Sequence, residues 1–243
     1  MKQTKIIMGM PITIEVVDEV NSQIVDSVFD YFKQVDRRFS TYKPKSEISK
    51  INGGLSKSEW SREMKLILGL AEQTKRQTSG YFDIYHNGKL DPSGLVKGWA
   101  VFNAAKMLQQ EGFTNFYIEA GGDTQVSGPK PWTIGIRNPF NINQIVKVVS
   151  LTNQGLATSG TYIRGQHIYN PHQSDQEITD IKSLTVVAKN VYEADRFATA
   201  AFAMGRQGIE FIEKKSGLEG YMIDADQIAT FTSGFESYVA GNV

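Results

Sequence analysis

The 243-residue chain contains no cysteine. Disulfides, thiolate metal sites, a cysteine nucleophile and a lipidated cysteine are therefore excluded. Histidine is scarce: His86, His167 and His172 are the only three, and none falls in a His-Glu-x-x-His arrangement, which argues against a zinc hydrolase. Net charge is absent too. Lys+Arg and Asp+Glu balance at 26 each, so the chain lacks the basic footprint of a general nucleic-acid binder and gives no reason to invoke an anionic membrane surface. No apolar window reaches membrane-spanning length, and Lys2 and Lys5 are not followed by an apolar run long enough for a signal peptide. These absences set the expectation of a soluble cytoplasmic protein with no membrane anchor. The chain also has no Gly-x-Gly-x-x-Gly after a strand, no Walker-type Gly-Lys-Ser/Thr and no Gly-x-Ser-x-Gly elbow.

What is present is enough for a packed core, with 40% hydrophobic and 21% charged residues. Pro11 to Asp18 is β-branched and partly alternating, which predicts a strand. Asn21 or Ser22 can cap a helix whose apolar residues Ile24, Val28, Phe32, Val35 and Phe39 recur at helical spacing. Residues 39–52 read as a loop or short turn segment. Ser58 or Ser61 opens a second helix that stops near Gly80, and a third runs from about Gly94 to Gln110. The second half is strand-rich, with strands expected over 116–120, 132–137, 146–152, 183–189, 220–224 and 228–232. A long helix from Asp195 to about Lys215 is expected to interrupt them, and 224–228 reads as a hairpin. The pattern is α+β with a mostly antiparallel sheet and packed helices.

The sharpest chemical signal is Asn190-Val-Tyr-Glu-Ala-Asp195-Arg-Phe-Ala-Thr199. Residues i and i+4 share a helix face, so Asp195 and Thr199 can present oxygens to one point, as a hard cation such as Mg²⁺ requires. The plainer alternative is an Asp favoured in a first helical turn and a Thr bonded to its own backbone. Gly121-Gly122-Asp123 after a strand permits a sharp turn or a close ligand approach, and a plain turn suffices. Thr158-Ser159-Gly160 can offer hydroxyls and amides to a phosphate, or be a turn. His167-Ile168-Tyr169-Asn170-Pro171 reads as the end of a strand entering a turn, where a histidine can meet a ligand or simply sit at the surface. Tyr42 and Tyr81-Phe82-Asp83 follow helices in loops, and their flat rings suit a flavin or a purine, or the core.

Taken in order, these segments resemble the ApbE-type FAD:protein FMN transferases. The matching pieces are Met8-Gly9-Met10, Phe39-Ser-Thr-Tyr42 through Asn52, Ser79-Gly80-Tyr81-Phe82-Asp83 and Leu90-Asp91 through Ala100. They continue with Glu119-Ala-Gly121-Gly122-Asp123, Ala157 to Gly160, His167 to Pro171 and Glu193 to Thr199. The resemblance implies a single ApbE-like (T-fold-like) domain over 1–243. It also implies FAD contacts at Met8, Tyr42, Tyr81, Phe82, Asp83, Asp91, Lys97, His167 and Ile168, beside the Thr158 and Ser159 hydroxyls. Mg²⁺ would be held by Asp195 and Thr199 with help from the backbone oxygen of Gly94. The implied reaction cleaves the FAD pyrophosphate, joins FMN to a Thr or Ser of an acceptor protein bearing an Asp-x-x-Ser/Thr-Gly-Ala-Thr-like motif, and releases AMP. Lys97 would add positive charge near the phosphates, and His167 and Asp83 are candidate bases. Two rivals remain: an FAD pyrophosphatase that uses water, and a flavin-storing protein without chemistry. The chain departs from the family pattern at Met10 (usually Thr), at Phe102 (commonly Asp) and at Leu95-Val-Lys97-Gly-Trp99. It also lacks the export signal and lipidated cysteine of periplasmic members.

Overall fold

The computed structural model describes residues 1–161, 168–173 and 175–240. Two strands, β1 (Lys2–Ile7) and β2 (Met10–Val16), form an opening hairpin around Met8 and Gly9, both with positive φ. Asn21 caps α1 (Ser22–Phe39) by accepting from the Gln23 amide. Val25, Val28, Phe29, Phe32, Val35 and Phe39 fall on one face of that helix and are buried. Residues 39–52 are more structured than expected. They end in α2 (Glu47–Asn52), capped by Ser46, which accepts from the Ser49 amide. A helix of this length is too short for a periodic signal, so only its cap was available to reveal it.

Next comes α3 (Arg62–Gln77), capped by Ser61, followed by the small hairpin β3 (Tyr85–His86) and β4 (Lys89–Leu90). Asn52 acts as a strand substitute there: its side chain both donates to the Leu90 carbonyl and accepts from the Leu90 amide. The chain continues through α4 (Ser93–Gln110), β5 (Phe116–Ala120), β6 (Asp123–Ser127), β7 (Trp132–Asn138), β8 (Asn141–Leu151), β9 (Gly155–Gly160) and β10 (Ile181–Ala188). It closes with α5 (Val191–Ala203), α6 (Gly208–Glu213), β11 (Leu218–Asp224) and β12 (Ala229–Phe231). The expected helix from Asp195 to Lys215 is thus two helices. Gly205 adopts φ +63, which breaks the first, and its N-terminal end lies earlier, at Val191. Thr158, Ser159 and Gly160 belong to β9 rather than to a turn, and residues 168–170 are not in a strand.

Eight strands form one antiparallel sheet in the order β1-β2-β5-β6-β9-β10-β11-β12. One face is covered by helices. Ile12, Ile14, Phe116 and Ile118 pack there against α1 and α4, and Leu184, Val186 and Ala157 against α5. The other face carries the β7–β8 hairpin, whose Ile134, Ile136, Val149 and Leu151 pack on Val126, Val187 and Tyr221. Consecutive residues of β10 therefore serve different cores, Val186 toward the helices and Val187 toward the hairpin, so its sequence shows no polar alternation.

Candidate functional site

The site is built where α4 and α5 approach closely. Gly94 and Gly98 lie four apart on α4, facing Asp195 and Thr199, four apart on α5. A Cβ on Gly98 would stand 2.6 Å from the Asp195 Cβ and 2.8 Å from the Val191 carbonyl oxygen; one on Gly94 would stand 3.0 Å from the Thr199 Cγ2. Only glycine allows this contact. Gly155 of β9 behaves likewise, since a Cβ there would overlap the Val191 amide at 1.9 Å.

This approach speaks against the plainer reading of Asp195 as a first-turn residue and Thr199 as bonded to its own backbone. Asn190, not Asp195, is the N-cap of α5, accepting from the Glu193 amide. Asp195 is the fifth residue of the helix, 3% exposed, and its Oδ2 accepts from the Gly98 amide at 2.7 Å. Thr199 bonds outward rather than to its own helix: its hydroxyl donates to the Gly94 carbonyl at 3.3 Å and lies 3.5 Å from the Ser159 hydroxyl. The Asp195 carboxylate, the Thr199 hydroxyl and Gly94 line one cavity, and hard oxygen donors of these kinds suit Mg²⁺. Among the described residues no group of three or more His, Asp or Glu side chains could hold a metal. A cation here would have to complete its shell with water or substrate oxygens, as Mg²⁺ commonly does.

Lys97 and Asp123 complete the cluster. The Lys97 ammonium lies 3.0 Å from the Asp123 Oδ2, and Asp123 is fully buried at the start of β6. Burial, then the negative charge of Asp195 beside it, push the Asp123 carboxyl well above the usual range, while Lys97 opposes the shift. Gly121 and Gly122, at φ +56 and +99, turn the chain from β5 into β6 and deliver Asp123 to this place. The turn reading of the two glycines therefore holds, and the aspartate after them is what the sequence reading missed. Its signal was an acidic residue directly after a glycine pair at a strand end. Glu119, on the same turn, accepts from the Gly122 amide at 2.7 Å, and burial raises its carboxyl.

Of these residues, Gly94, Lys97, Glu119, Gly121, Gly122, Asp195 and Thr199 line a cavity of about 1250 Å³. Its lining includes the sequence-predicted Tyr81, Phe82, Asp83, Asp91, Gly94, Lys97, Thr158, Ser159, Ile168, Asp195 and Thr199. Two predicted contacts are placed differently. Met8 is half-buried, and Gly9, Met10 and Pro11 border the cavity in its stead; Tyr42 is 94% exposed, next to Thr41 of the lining. His167 lies outside the described residues. The rim is tied down by several contacts. Lys75 pairs with Asp83 at 2.7 Å, the Tyr169 hydroxyl donates to the Asp83 carbonyl at 2.8 Å, and His86 stacks on Tyr169 at 3.8 Å between ring centres. His172 donates to the Ser79 carbonyl at 3.0 Å and meets Tyr81 edge-on, which fixes the Tyr81 ring at the mouth. Thr158 shares a hydrogen bond of 2.8 Å with Thr185.

A sequence model of the ApbE family matches residues 8–88 and 85–222, and the chain belongs to that family. It is 30% identical over 148 residues to an FAD:protein FMN transferase of Klebsiella pneumoniae (strain 342), covering 55% of this chain and 42% of that protein. It is 28% identical over 182 residues to one of Rhodobacter capsulatus, covering 70% and 35%. The chain spans about half the length, or less, of these curated relatives. Among solved structures, the ApbE protein of Thermotoga maritima superposes with a TM-score of 0.87 at 20% identity over 99% of each chain. Flavin Transferase ApbE from Vibrio cholerae does so with 0.84 at 21% identity over 98% of each. At these identities the structural likeness speaks for the fold: helices packed on an antiparallel sheet.

Proposed function

We propose that this protein transfers FMN from FAD to a Thr or Ser hydroxyl of an acceptor protein and releases AMP, with Mg²⁺ held by Asp195, Thr199 and the Gly94 carbonyl. The observation that carries the proposal is the meeting of the Gly94/Gly98 pair with the Asp195/Thr199 pair at a cavity large enough for a dinucleotide. Family membership and relatives named FAD:protein FMN transferase support it.

In the proposed reaction the acceptor oxygen forms a bond to the FMN phosphorus, the bond to the bridging oxygen breaks, and AMP departs with that oxygen. The hydroxyl proton is lost. Mg²⁺, when bound, neutralises the pyrophosphate and leaving-group charge. The protein's part is positioning. Asp195 is locked by the Gly98 amide, so its carboxylate points one way without reorganisation. Lys97 brings a cation to the cavity wall within reach of phosphate oxygens. Tyr81 offers its ring at the mouth, and Asp83 is held by Lys75 with one carboxylate oxygen on the Tyr85 amide. Asp83 and His167 are the proposed candidates for accepting the hydroxyl proton.

The test is to incubate the protein with FAD and Mg²⁺, with and without acceptor peptides carrying the Asp-x-x-Ser/Thr-Gly-Ala-Thr pattern. Transfer predicts AMP together with flavin covalently bound to peptide. AMP with only free FMN would assign a pyrophosphatase, and bound FAD without AMP would assign storage.

A further inference from the structure

We propose that the open edge of β7, with the apolar tip of the β7–β8 hairpin, is the docking strip for the acceptor: an extended segment of the acceptor protein adds to β7 as a further strand and so brings its hydroxyl to the cavity. The strip rests on the reading of the cavity as a site of FMN transfer to a protein.

β7 pairs with β8 along one edge. Among the described residues no other strand pairs with its second edge, and no backbone hydrogen bond from elsewhere in the chain reaches it. That second edge borders the cavity. Consecutive residues of a strand face opposite sides, yet Gly135, Ile136 and Arg137 all line the cavity. Their partners on β8, Val148, Lys147 and Ile145, do not. A wall made by both faces of one strand and by none of the residues paired to it is the open edge of that strand. Such an edge carries a row of backbone donors and acceptors, which an extended peptide matches along its length.

The hairpin also shows apolar surface beside this edge. Its inner face, with Ile134, Ile136, Val149 and Leu151, belongs to the core, but Phe140, Ile142, Ile145 and Val148 are exposed. Ile145 leans over Gly135, since a Cβ on that glycine would stand 2.8 Å from the Ile145 Cδ1. The glycine thus lets an apolar side chain reach over β7. Ile142 lines the cavity at the hairpin tip, where Arg137 Nη1 donates to its carbonyl at 3.1 Å. Exposed apolar side chains gathered at the rim of a cavity mark a partner surface. The acceptor is the partner that this cavity requires: its hydroxyl must enter while the rest of the protein stays outside. A strand edge that runs along the cavity wall meets both conditions.

The test uses the whole protein with FAD, Mg²⁺ and a peptide carrying the Asp-x-x-Thr-Gly-Ala-Thr pattern, N-methylated at one backbone amide at a time. Strand addition predicts a period of two. Methylation at alternate residues should raise the peptide KM roughly tenfold, through a lost backbone hydrogen bond and the bulk of the methyl, and the intervening positions should change little. Ile145→Ser, at an exposed position outside the cavity lining, should raise the peptide KM about fivefold through lost apolar contact. Its kcat and its FAD affinity should stay at the wild-type values, as expected when only docking is weakened. A flat N-methylation profile overturns strand addition, and so does a wild-type KM in Ile145→Ser. Weaker FAD binding in Ile145→Ser would assign the strip to the dinucleotide, and a dimer that Ile145→Ser splits would assign it to a second copy; either result overturns the proposal. A wild-type protein that modifies no such peptide would instead overturn the transfer reading, and this strip with it.

Discussion

At the scale of the residue, the proposed chemistry rests on two side-chain oxygens, and three glycines make room for them. Asp195→Asn keeps the size of the side chain and an oxygen for the Gly98 amide but loses the charge that attracts a hard cation. AMP release from FAD should fall by more than the roughly 10–100-fold typical of residues that only orient a metal ligand. Turnover followed over a Mg²⁺ titration checks this, and wild-type activity at limiting Mg²⁺ would reduce Asp195 to a structural residue. Tyr42 offers a cleaner separation of binding from folding. At 94% exposure it has little folded-state contact to lose, so Tyr42→Ala should leave the melting temperature unchanged. If its ring stacks on bound flavin or adenine, FAD affinity should drop by about 1–2 kcal/mol, by analogy with base stacking on aromatic side chains. Fluorescence titration decides, and unchanged affinity would remove Tyr42 from the site. The Asp195 and Thr199 pair was legible because helical spacing is a local property of sequence. Asp123 was not, since its partners Lys97 and Asp195 lie 26 and 72 positions away and only the sheet brings them together.

At the scale of the element, the site depends on how closely α4 approaches α5. Gly98→Ala would set a methyl 2.6 Å from the Asp195 Cβ and 2.8 Å from backbone, which cannot rotate away. Overpacking of this kind costs about 1–3 kcal/mol, and the displacement of α5 should abolish cation binding as well. Gly69→Ala is the control: Gly69 lies within α3 with nothing within 4 Å of a new Cβ. Replacing it should stabilise the protein by about 0.5–1 kcal/mol and leave FAD turnover unchanged. Thermal denaturation of the two variants should therefore move in opposite directions. Elements with a strong period and a cap, such as α1 and α3, could be read from the chain. Those defined by partners could not. The β3–β4 hairpin is held by Asn52 from a distance, β6 and β9 are short and lie between other strands, and Gly205 splits a run of helix-forming residues by its φ.

At the scale of the whole molecule, a sheet with helices on one face and a hairpin on the other gathers residues from α4, α5, β9 and the β5–β6 turn around one cavity. No helix among the described residues is long and apolar enough to cross a membrane. The antiparallel α+β class was readable because strand-like runs dominate the second half, while the order of strands was not, because β6 pairs with β9 across the intervening β7–β8 excursion. The central claim, transfer of FMN to a protein hydroxyl, is met most directly by one measurement. The protein, FAD and Mg²⁺ are incubated with a peptide carrying the Asp-x-x-Thr-Gly-Ala-Thr pattern, and the peptide is weighed by mass spectrometry. Transfer predicts one added FMN per peptide, matched by released AMP and lost when the acceptor Thr is changed to Ala. Steady consumption of FAD with every such peptide left unmodified would contradict it.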